Sequence, residues 1–163
     1  MSAGALRLVG GALLVLAGAL LGREKLAEMR RRRACLRTLA GALGRLAGAL
    51  EALESPLGEL FSRLTDCPFF ACVAAGFGSE PLERLWRRAC ETQPIGPEER
   101  AALASLGAVL GRCDTPRQCA EIALVRQSLS DAADALDGEI AARGRRFPAL
   151  FAALGAILAV VLF

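Results

Sequence analysis

The feature that most restricts the fold of this chain is a pair of apolar runs, one near each end, that stop at arginines. Residues 8–22 and 147–163 carry no charged side chain, and basic clusters lie on the inner side of both runs. A transmembrane helix needs roughly 20 apolar residues, with about 17 as the lower limit. The first run reaches full length if it includes the residues around Arg7, whose side chain then extends to the interface. The pattern predicts membrane spans at residues 1–22 and 147–163, with a helical domain at residues 23–146.

The basic residues predict the orientation of these spans. The inner flanks carry Arg23, Lys25, Arg30, Arg31, Arg32, Arg33, Arg143, Arg145 and Arg146. Arg7 is the basic residue on an outer side. Because translocation of short basic flanks is disfavoured, the middle domain is expected in the cytoplasm and both termini across the membrane. The flanking arginines are expected to face acidic phospholipids.

A cleaved signal peptide is the alternative interpretation of the first run. The segment Ala17-Gly18-Ala19 has the small-x-small form of a cleavage site. The mature chain would then open with Arg23, Lys25 and, soon after, four consecutive arginines, which hinders export. The closing apolar run would still need its own explanation, so we favour a retained span.

The charge of the chain is distributed unevenly between the flanks and the middle. Residues 34–142 carry ten arginines and no lysine against fifteen carboxylates, a formal charge of −5 (10 − 15). The net charge of +3 for the whole chain therefore comes from the flanks. A nucleic-acid-binding domain would place positive charge on its folded surface, so no nucleic-acid partner is predicted.

The six cysteines are an even number, so a disulfide framework has to be considered. In a cytoplasmic domain they would stay reduced, and their spacings do not match the C-x-x-C pairs of structural zinc sites. We expect small, buried, unreactive thiols. The cysteines are Cys35, Cys67, Cys72, Cys90, Cys113 and Cys119.

The residue types that most catalytic sites need are missing. The chain has no histidine and no tyrosine, which removes Ser-His and Cys-His pairs, the imidazole general base and most catalytic zinc sites. The Gly-Phe-Gly segment at residues 76–78 lacks the lysine and the preceding strand of a phosphate-binding loop. Asp131, Asp134 and Asp137 lack calcium-loop spacing, so a solvated helix face is the favoured interpretation. We predict no catalytic residue, cofactor, metal or small-molecule substrate.

The predicted fold class is all-α, because alanine and leucine dominate and no strand-like alternation appears. Leucines recur in steps of three and four after the first basic cluster, which places them on one face of a helix. This leucine seam consists of Leu36, Leu39, Leu43, Leu46, Leu50 and Leu53. No proline or turn cluster interrupts residues 8–54, so the first span is predicted to continue into this helix as one long rod.

The same helix carries a second surface of small residues. Gly41, Gly44 and Gly48 each cost up to about 1 kcal/mol relative to alanine in a helix interior. Ala40 and Ala47 extend the surface, and a G-x-x-x-G spacing lets two backbones approach closely. The pattern predicts that another element packs tightly there. The alternative is that a G+C-rich coding sequence simply supplies glycine and alanine.

Short helices are predicted at residues 56–66, 69–75, 81–92 and 97–110. Ser55 followed by Pro56 supplies the start signal of the first of them. Asp114 caps a second long helix, whose apolar positions again step by three and four. They are Cys119, Ile122, Val125, Leu129, Ala132, Leu136 and Ile140.

The two long helices are expected to form an antiparallel pair, with the leucine seam of the first buried against the apolar stripe of the last. The short helices lie between them, and each long helix is continuous with or adjoins a terminal span. Gly144 and Pro148 mark a hinge at the membrane entry, where proline can start the final helix.

Several short segments occur in a characteristic order along the chain. They are LRLVG at residues 6–10, Ser55-Pro56-Leu57 after the leucine-rich helix, Trp86, LGAVLGRCD at residues 106–114 followed by Gln118, and LGAILAVVL at residues 154–162. Their order and spacing resemble the stage III sporulation protein AB family over nearly the full length. The most specific match is to the family's L/F-G-x-x-L-G-x-x-D-x-x-x-Q segment between two helices.

The resemblance implies a part of the channel apparatus that joins mother cell and forespore. The family is similar in its helical domain to the inner-membrane platform proteins of type II secretion, which receive a cytoplasmic assembly ATPase. By that analogy the middle domain lies in the mother-cell cytoplasm and docks the ATPase. The spans then join the other channel proteins in the mother-cell membrane around the forespore. This chain departs from the family in being nearly free of lysine.

Two hypotheses for function follow. The first is a noncatalytic platform component of the sporulation channel. The second is a membrane-anchored regulatory or signalling hairpin that dimerises through the leucine seam.

The candidate interaction or structural positions are Gly44, Gly48, Trp86, Gly107, Leu110, Gly111, Asp114 and Gln118. For the residue 107–114 turn, the alternative to partner contact is that glycines stop one helix and Asp114 caps the next.

Overall fold

The structure, a computed structural model, describes the backbone of residues 3–52 and 56–162 and the side chains of residues 20, 22–52 and 56–144. Within these ranges the helices are α1 (Ala3–Ala52), α2 (Leu57–Ser62), α3 (Pro68–Gly76), α4 (Leu82–Glu91), α5 (Pro97–Val109) and α6 (Thr115–Leu162). The described backbone contains no β-strand, only an isolated bridge between Phe77 and Glu80. The all-α prediction is confirmed.

The chain divides into two units. The terminal unit comprises Met1–Arg31 with Leu136–Phe163, and the central unit comprises Arg32–Ala135. Most side chains of the predicted spans, at residues 1–22 and 147–163, lie outside the described residues. Where side chains are described, no helix combines the length and the apolar character that crossing a membrane requires.

Both long helices are continuous over their described backbone. Helix α1 runs without a break to Ala52, as the absence of proline and turn residues predicts. Helix α6 also continues through Gly144 and Pro148 to Leu162. Of the two predicted arrangements, a last helix that is continuous with the closing run or one that only adjoins it, the backbone shows the continuous one. A proline removes one hydrogen bond from the ladder, and here the helix continues past that gap.

Within the central unit, α1 and α6 lie antiparallel. The Arg37 guanidinium donates to the Asp134 carboxylate at 3.3 Å near one end of the pair. Further along, the Cys119 thiol donates to the carbonyl oxygen of Ala47 at 3.8 Å. Because residue numbers rise on α1 as they fall on α6, the two helices run in opposite directions. The predicted antiparallel pair is confirmed.

Four residues of the leucine seam are buried inside this unit, and Leu50 is half-buried. Leu36, Leu39, Leu43 and Leu46 are at most 1% exposed. Burying a leucine side chain contributes roughly 1.5–3 kcal/mol relative to leaving it in water. Leu53, the last position of the seam, lies outside the described residues. Ile122, Val125 and Leu129 of the predicted apolar stripe of α6 are buried, and Ala133 is buried beside them. The other members of the stripe are half-buried: Cys119, Ala132, Leu136 and Ile140.

The short helices form an aromatic core beside the long pair. Phe61, Phe69, Phe70 and Trp86 are fully buried, and their ring centroids lie 4.7–6.1 Å apart in offset and edge-on contacts. Such aromatic pairs add roughly 0.5–1.5 kcal/mol beyond their area burial. The helix predicted at residues 56–66 is shorter, because α2 ends at Ser62 and residues 63–66 form turns. The predicted cap at Ser55 lies outside the described residues.

Candidate functional site at the turn between α5 and α6

The turn between α5 and α6 depends on two residues with different tasks. Leu110 follows the last residue of α5 with an extended backbone, at φ −61° and ψ 126°, and its side chain is buried. Gly111 then adopts a positive φ of 75°. Residues with a side chain rarely take this conformation, so glycine is required where the chain reverses toward α6.

Gln118 closes the turn from the first turns of α6. The backbone N–H of Gly111 donates to its Oε1 at 3.2 Å, and its Nε2 donates to the carbonyl oxygen of Cys113 at 2.6 Å. The backbone N–H of Gln118 donates to the carbonyl oxygen of Asp114 at 3.0 Å, which places Asp114 just before the first residue of α6. Gln118 is buried, and both ends of its amide have partners, as a buried polar group requires. The G-x-x-D-x-x-x-Q pattern therefore describes a turn that its own hydrogen bonds stabilise.

Trp86 and Gly107 fix the close approach of α4 and α5. A Cβ atom at Gly107 would lie 3.0 Å from three atoms of Trp86, closer than ordinary contact. The indole Nε1 of Trp86 donates to the carbonyl oxygen of Leu103 at 2.7 Å. Both candidate residues are buried, so they act in packing and not in contact with a partner.

Gly44 and Gly48 lie in α1 and are not part of the turn between α5 and α6. A Cβ at Gly44 would meet the Arg126 guanidinium at 3.1 Å. At Gly48, no described atom beyond its own helical neighbourhood comes within 4 Å of that position. Within the described residues, a side chain from α6 therefore lies close to Gly44, and none lies close to Gly48.

Contacts of Leu57, Gly58 and Phe77, which were not among the candidate positions, continue the site. A Cβ at Gly111 would lie 3.0 Å from Cδ1 of Leu57. Gly58 follows Leu57 in the chain, and a Cβ at Gly58 would lie 2.7 Å from the ring of Phe77. We call Leu57, Phe77 and Gly111 the tip surface. Its sequence signal is the Gly-Phe-Gly segment at residues 76–78, a break between two helices whose contacts the sequence does not reveal.

Ion pairs of both signs border the tip surface. Glu83 accepts from Arg112 at 3.4 Å and from Arg87 at 3.3 Å. Glu80 accepts from Arg88 at 3.1 Å. Such exposed pairs contribute only about 0–1 kcal/mol each to stability. Their consequence is a polar border in which positive and negative side chains alternate.

A partly buried ion pair joins α1 to the first turn of α5. The Arg32 guanidinium donates to the Glu99 carboxylate at 2.6 Å, and Glu99 is only 9% exposed. A Cβ at Gly96 would collide with both side chains, so glycine makes room for the pair. Arg32, one of the arginines expected to face phospholipid, therefore has an internal carboxylate partner. Local sequence patterns carry no signal for a partner 67 residues away.

The thiols are free, and burial raises the pKa of three of them, Cys35, Cys90 and Cys119. Desolvation, and then the neighbouring Cys67, raise the pKa of Cys35 to about 11, and its thiol donates to Oε1 of Gln93 at 3.4 Å. Desolvation raises the pKa of Cys90 to about 12. The prediction of buried thiols is confirmed for Cys67 and Cys90, whereas the other four are half-buried.

The described part of the chain offers little to a metal ion. No three acidic, histidine or cysteine side chains converge there as ligands.

A cavity of about 510 Å³ lies between α1, the start of α3 and the loop after α4. Cys35, Thr38, Cys67 and Gln93 contribute its polar lining. Asp66 lies on the surface, where a hydrogen bond from Arg45 lowers its pKa.

Comparison with known proteins gives a consistent result. The family model for stage III sporulation protein AB matches residues 7–163. A solved structure named stage III sporulation protein AB shares the fold with a TM-score of 0.61 and 19% identity. That alignment covers 68% of this chain and 97% of the other. Among curated proteins, the comparison finds no match.

Proposed function

The chain belongs to the stage III sporulation protein AB family, and from this premise we propose that it is a noncatalytic platform in the channel between mother cell and forespore. Family membership gives it a role in sporulation. In our proposal the central unit lies in the mother-cell cytoplasm and docks a cytoplasmic assembly ATPase. The terminal apolar runs of α1 and α6 lie in the mother-cell membrane around the forespore and join the other membrane proteins of the channel.

The observation that carries this proposal is the closed pair of long helices in the central unit. Helices α1 and α6 each include one of the terminal apolar runs and continue unbroken into that unit. Their apolar faces are buried, as are the aromatic side chains of the short helices beside them. A unit that is packed in this way can present a fixed surface to a partner, which is what a platform needs.

The proposed membrane location rests on the sequence pattern. The runs at residues 1–22 and 147–163 are apolar, and basic residues flank their inner sides. Arg30 and Arg31 are exposed, in contrast to Arg32, and remain suited to anionic headgroups. We place the lipid contact of the arginine block at these two residues.

The burial of the leucine seam favours the platform over the regulatory hairpin. Dimerisation through Leu36, Leu39, Leu43 and Leu46 would require these side chains to leave the interior of their own chain. Each is at most 1% exposed, so the monomer fold already uses the seam. Opening it would expose several leucines at a cost of about 1.5–3 kcal/mol each.

Binding between the full-length chain and the assembly ATPase of the same organism tests the proposal. We expect the two proteins to co-purify from detergent extracts. An ATPase from an unrelated secretion system serves as the control and should not be retained. Failure to bind the cognate ATPase, together with dimerisation that Leu39→Asp abolishes without unfolding the chain, would instead support the regulatory hairpin.

A further inference from the structure

We propose that a cavity between α4 and α5 binds a small oxyanion of the size of inorganic phosphate. The cavity has a volume of about 280 Å³, and the two helices that line it belong to the central unit. Its lining includes Arg87, Cys90 and Glu91 of α4 and Arg100 and Ala101 of α5. An anion bound there would contact the central unit alone, so the site does not depend on the docking of an ATPase.

Arg100 is the residue that points to an anion. It is half-buried, and its Nη2 donates to the carbonyl oxygen of Ile95 at 3.1 Å. Its Nε is also buried, and among the described residues the guanidinium has neither an acceptor for this atom nor a carboxylate partner. A charge that is removed from water is costly unless an opposite charge compensates it. An anion in the cavity would supply the charge that Arg100 lacks.

Cys90 and Glu91, which line the same cavity, do not neutralise Arg100. Burial raises the pKa of Cys90 to about 12, so its thiol carries no charge at physiological pH. Glu91 is exposed and lines the cavity without forming an ion pair with Arg100. Its negative charge repels an anion, so Glu91 limits the affinity of the site.

Arg87 supplies a second cation to the cavity. Its side chain is 66% exposed, and its Nη2 donates to the Glu83 carboxylate at 3.3 Å. Because an exposed pair of this kind contributes only about 0–1 kcal/mol, Arg87 can turn toward an anion at little cost. A guanidinium donates two parallel hydrogen bonds to the oxygens of a carboxylate or phosphate. A halide has no such pair of oxygens, so the two arginines favour an oxyanion over chloride.

The size and the lining of the cavity restrict the ligand to a small ion. A volume of about 280 Å³ lies below the range of roughly 300–1,000 Å³ that is typical of sites for larger organic ligands. The described lining contains no aromatic side chain on which a nucleobase could stack. Free phosphate therefore fits the cavity better than a nucleotide does.

Calorimetric titration of the full-length chain with inorganic phosphate, in nonionic detergent and at constant ionic strength, tests the proposal. Phosphate should bind saturably and should raise the melting temperature more than chloride does. Arg100→Gln should raise the Kd for phosphate at least about tenfold, because it removes the charged fork. The matched control is Arg117→Gln, at an exposed arginine of α6 that does not line the cavity, and it should leave the Kd within about twofold.

Two further variants keep both arginines and change the cavity around them. Ala101→Trp, at an exposed position of the lining, should fill the cavity and abolish phosphate binding. Glu91→Gln removes the opposing charge and should lower the Kd about two- to fivefold. Thermal unfolding without phosphate shows whether each variant keeps the fold.

Two results would overturn the proposal. The first is that phosphate stabilises the wild-type chain no more than chloride does. The second is that folded Ala101→Trp keeps the wild-type Kd, because phosphate would then bind to exposed arginines elsewhere. Neither result would bear on the docking of the ATPase, which co-purification measures separately.

Discussion

Single glycines decide how closely the helices of the central unit approach one another. Gly107 allows α5 to lie directly on Trp86, and Gly111 allows the chain to reverse toward α6. Gly48 has no such neighbour among the described residues. The sequence shows three glycines in helical or turn segments, whereas their roles depend on what lies opposite each of them in the fold.

Alanine substitutions at Gly107 and at Gly48 should change the free energy of unfolding in opposite directions. Gly107→Ala places a methyl group 3.0 Å from Trp86, so we expect a loss of about 1–3 kcal/mol in the free energy of unfolding. Gly48→Ala adds no clash and improves helix propensity, so we expect a gain of up to about 1 kcal/mol. Urea unfolding followed by circular dichroism measures both. Equal effects would show that α4 and α5 do not approach as described.

Cys35 should be slow to alkylate in the folded chain until the solution is strongly alkaline. Its pKa is raised from 9.0 to about 11 because burial disfavours the thiolate. The neutral thiol therefore favours the folded state below pH 9, and this contribution is lost as the pH rises through about 11. Iodoacetamide labelling followed by mass spectrometry should give a rate that still increases between pH 9 and 11. In urea the rate should level off near pH 9, and identical profiles would contradict the burial of Cys35.

The elements themselves could largely be predicted from the sequence, because their signals are local. The leucine period identified the buried face of α1, and the prolines located the starts of the short helices. The end of α2 was missed, because residues 63–66 carry no strong helix breaker. The site was predicted only in part: Gln118 was recognised within a family motif, whereas Phe77 contacts residues from other segments and no local pattern reveals this.

The ion pair between α1 and α5 should stabilise the central unit more than exposed pairs do. Glu99→Ala leaves Arg32 without its partner at 2.6 Å, and we expect a loss of about 1–3 kcal/mol in the free energy of unfolding. The matched control is Asp134→Ala, which removes an exposed partner of Arg37 and should cost less than about 1 kcal/mol. Chemical denaturation of the two variants measures the difference. Similar losses would mean that the Glu99 pair is no stronger than a surface pair.

The whole molecule combines terminal segments that are apolar with a central unit whose exposed faces are polar. The terminal runs are apolar over residues 8–22 and 147–163, and the central unit has a closed core with polar exposed faces. Both parts of such a chain are in a suitable solvent if its ends lie in lipid and its middle lies in water. We therefore propose that Cys113, in the turn before α6, lies in the cytoplasm.

Cysteine accessibility in intact cells tests this central claim most directly. Two single-cysteine forms of the full-length chain are compared, one retaining Cys113 and one carrying Ser2→Cys. In vegetative cells that carry the chain in the plasma membrane, a membrane-impermeant maleimide should label the Ser2→Cys form, and should label Cys113 only after the cells are permeabilised. Labelling of Cys113 in intact cells would contradict the account.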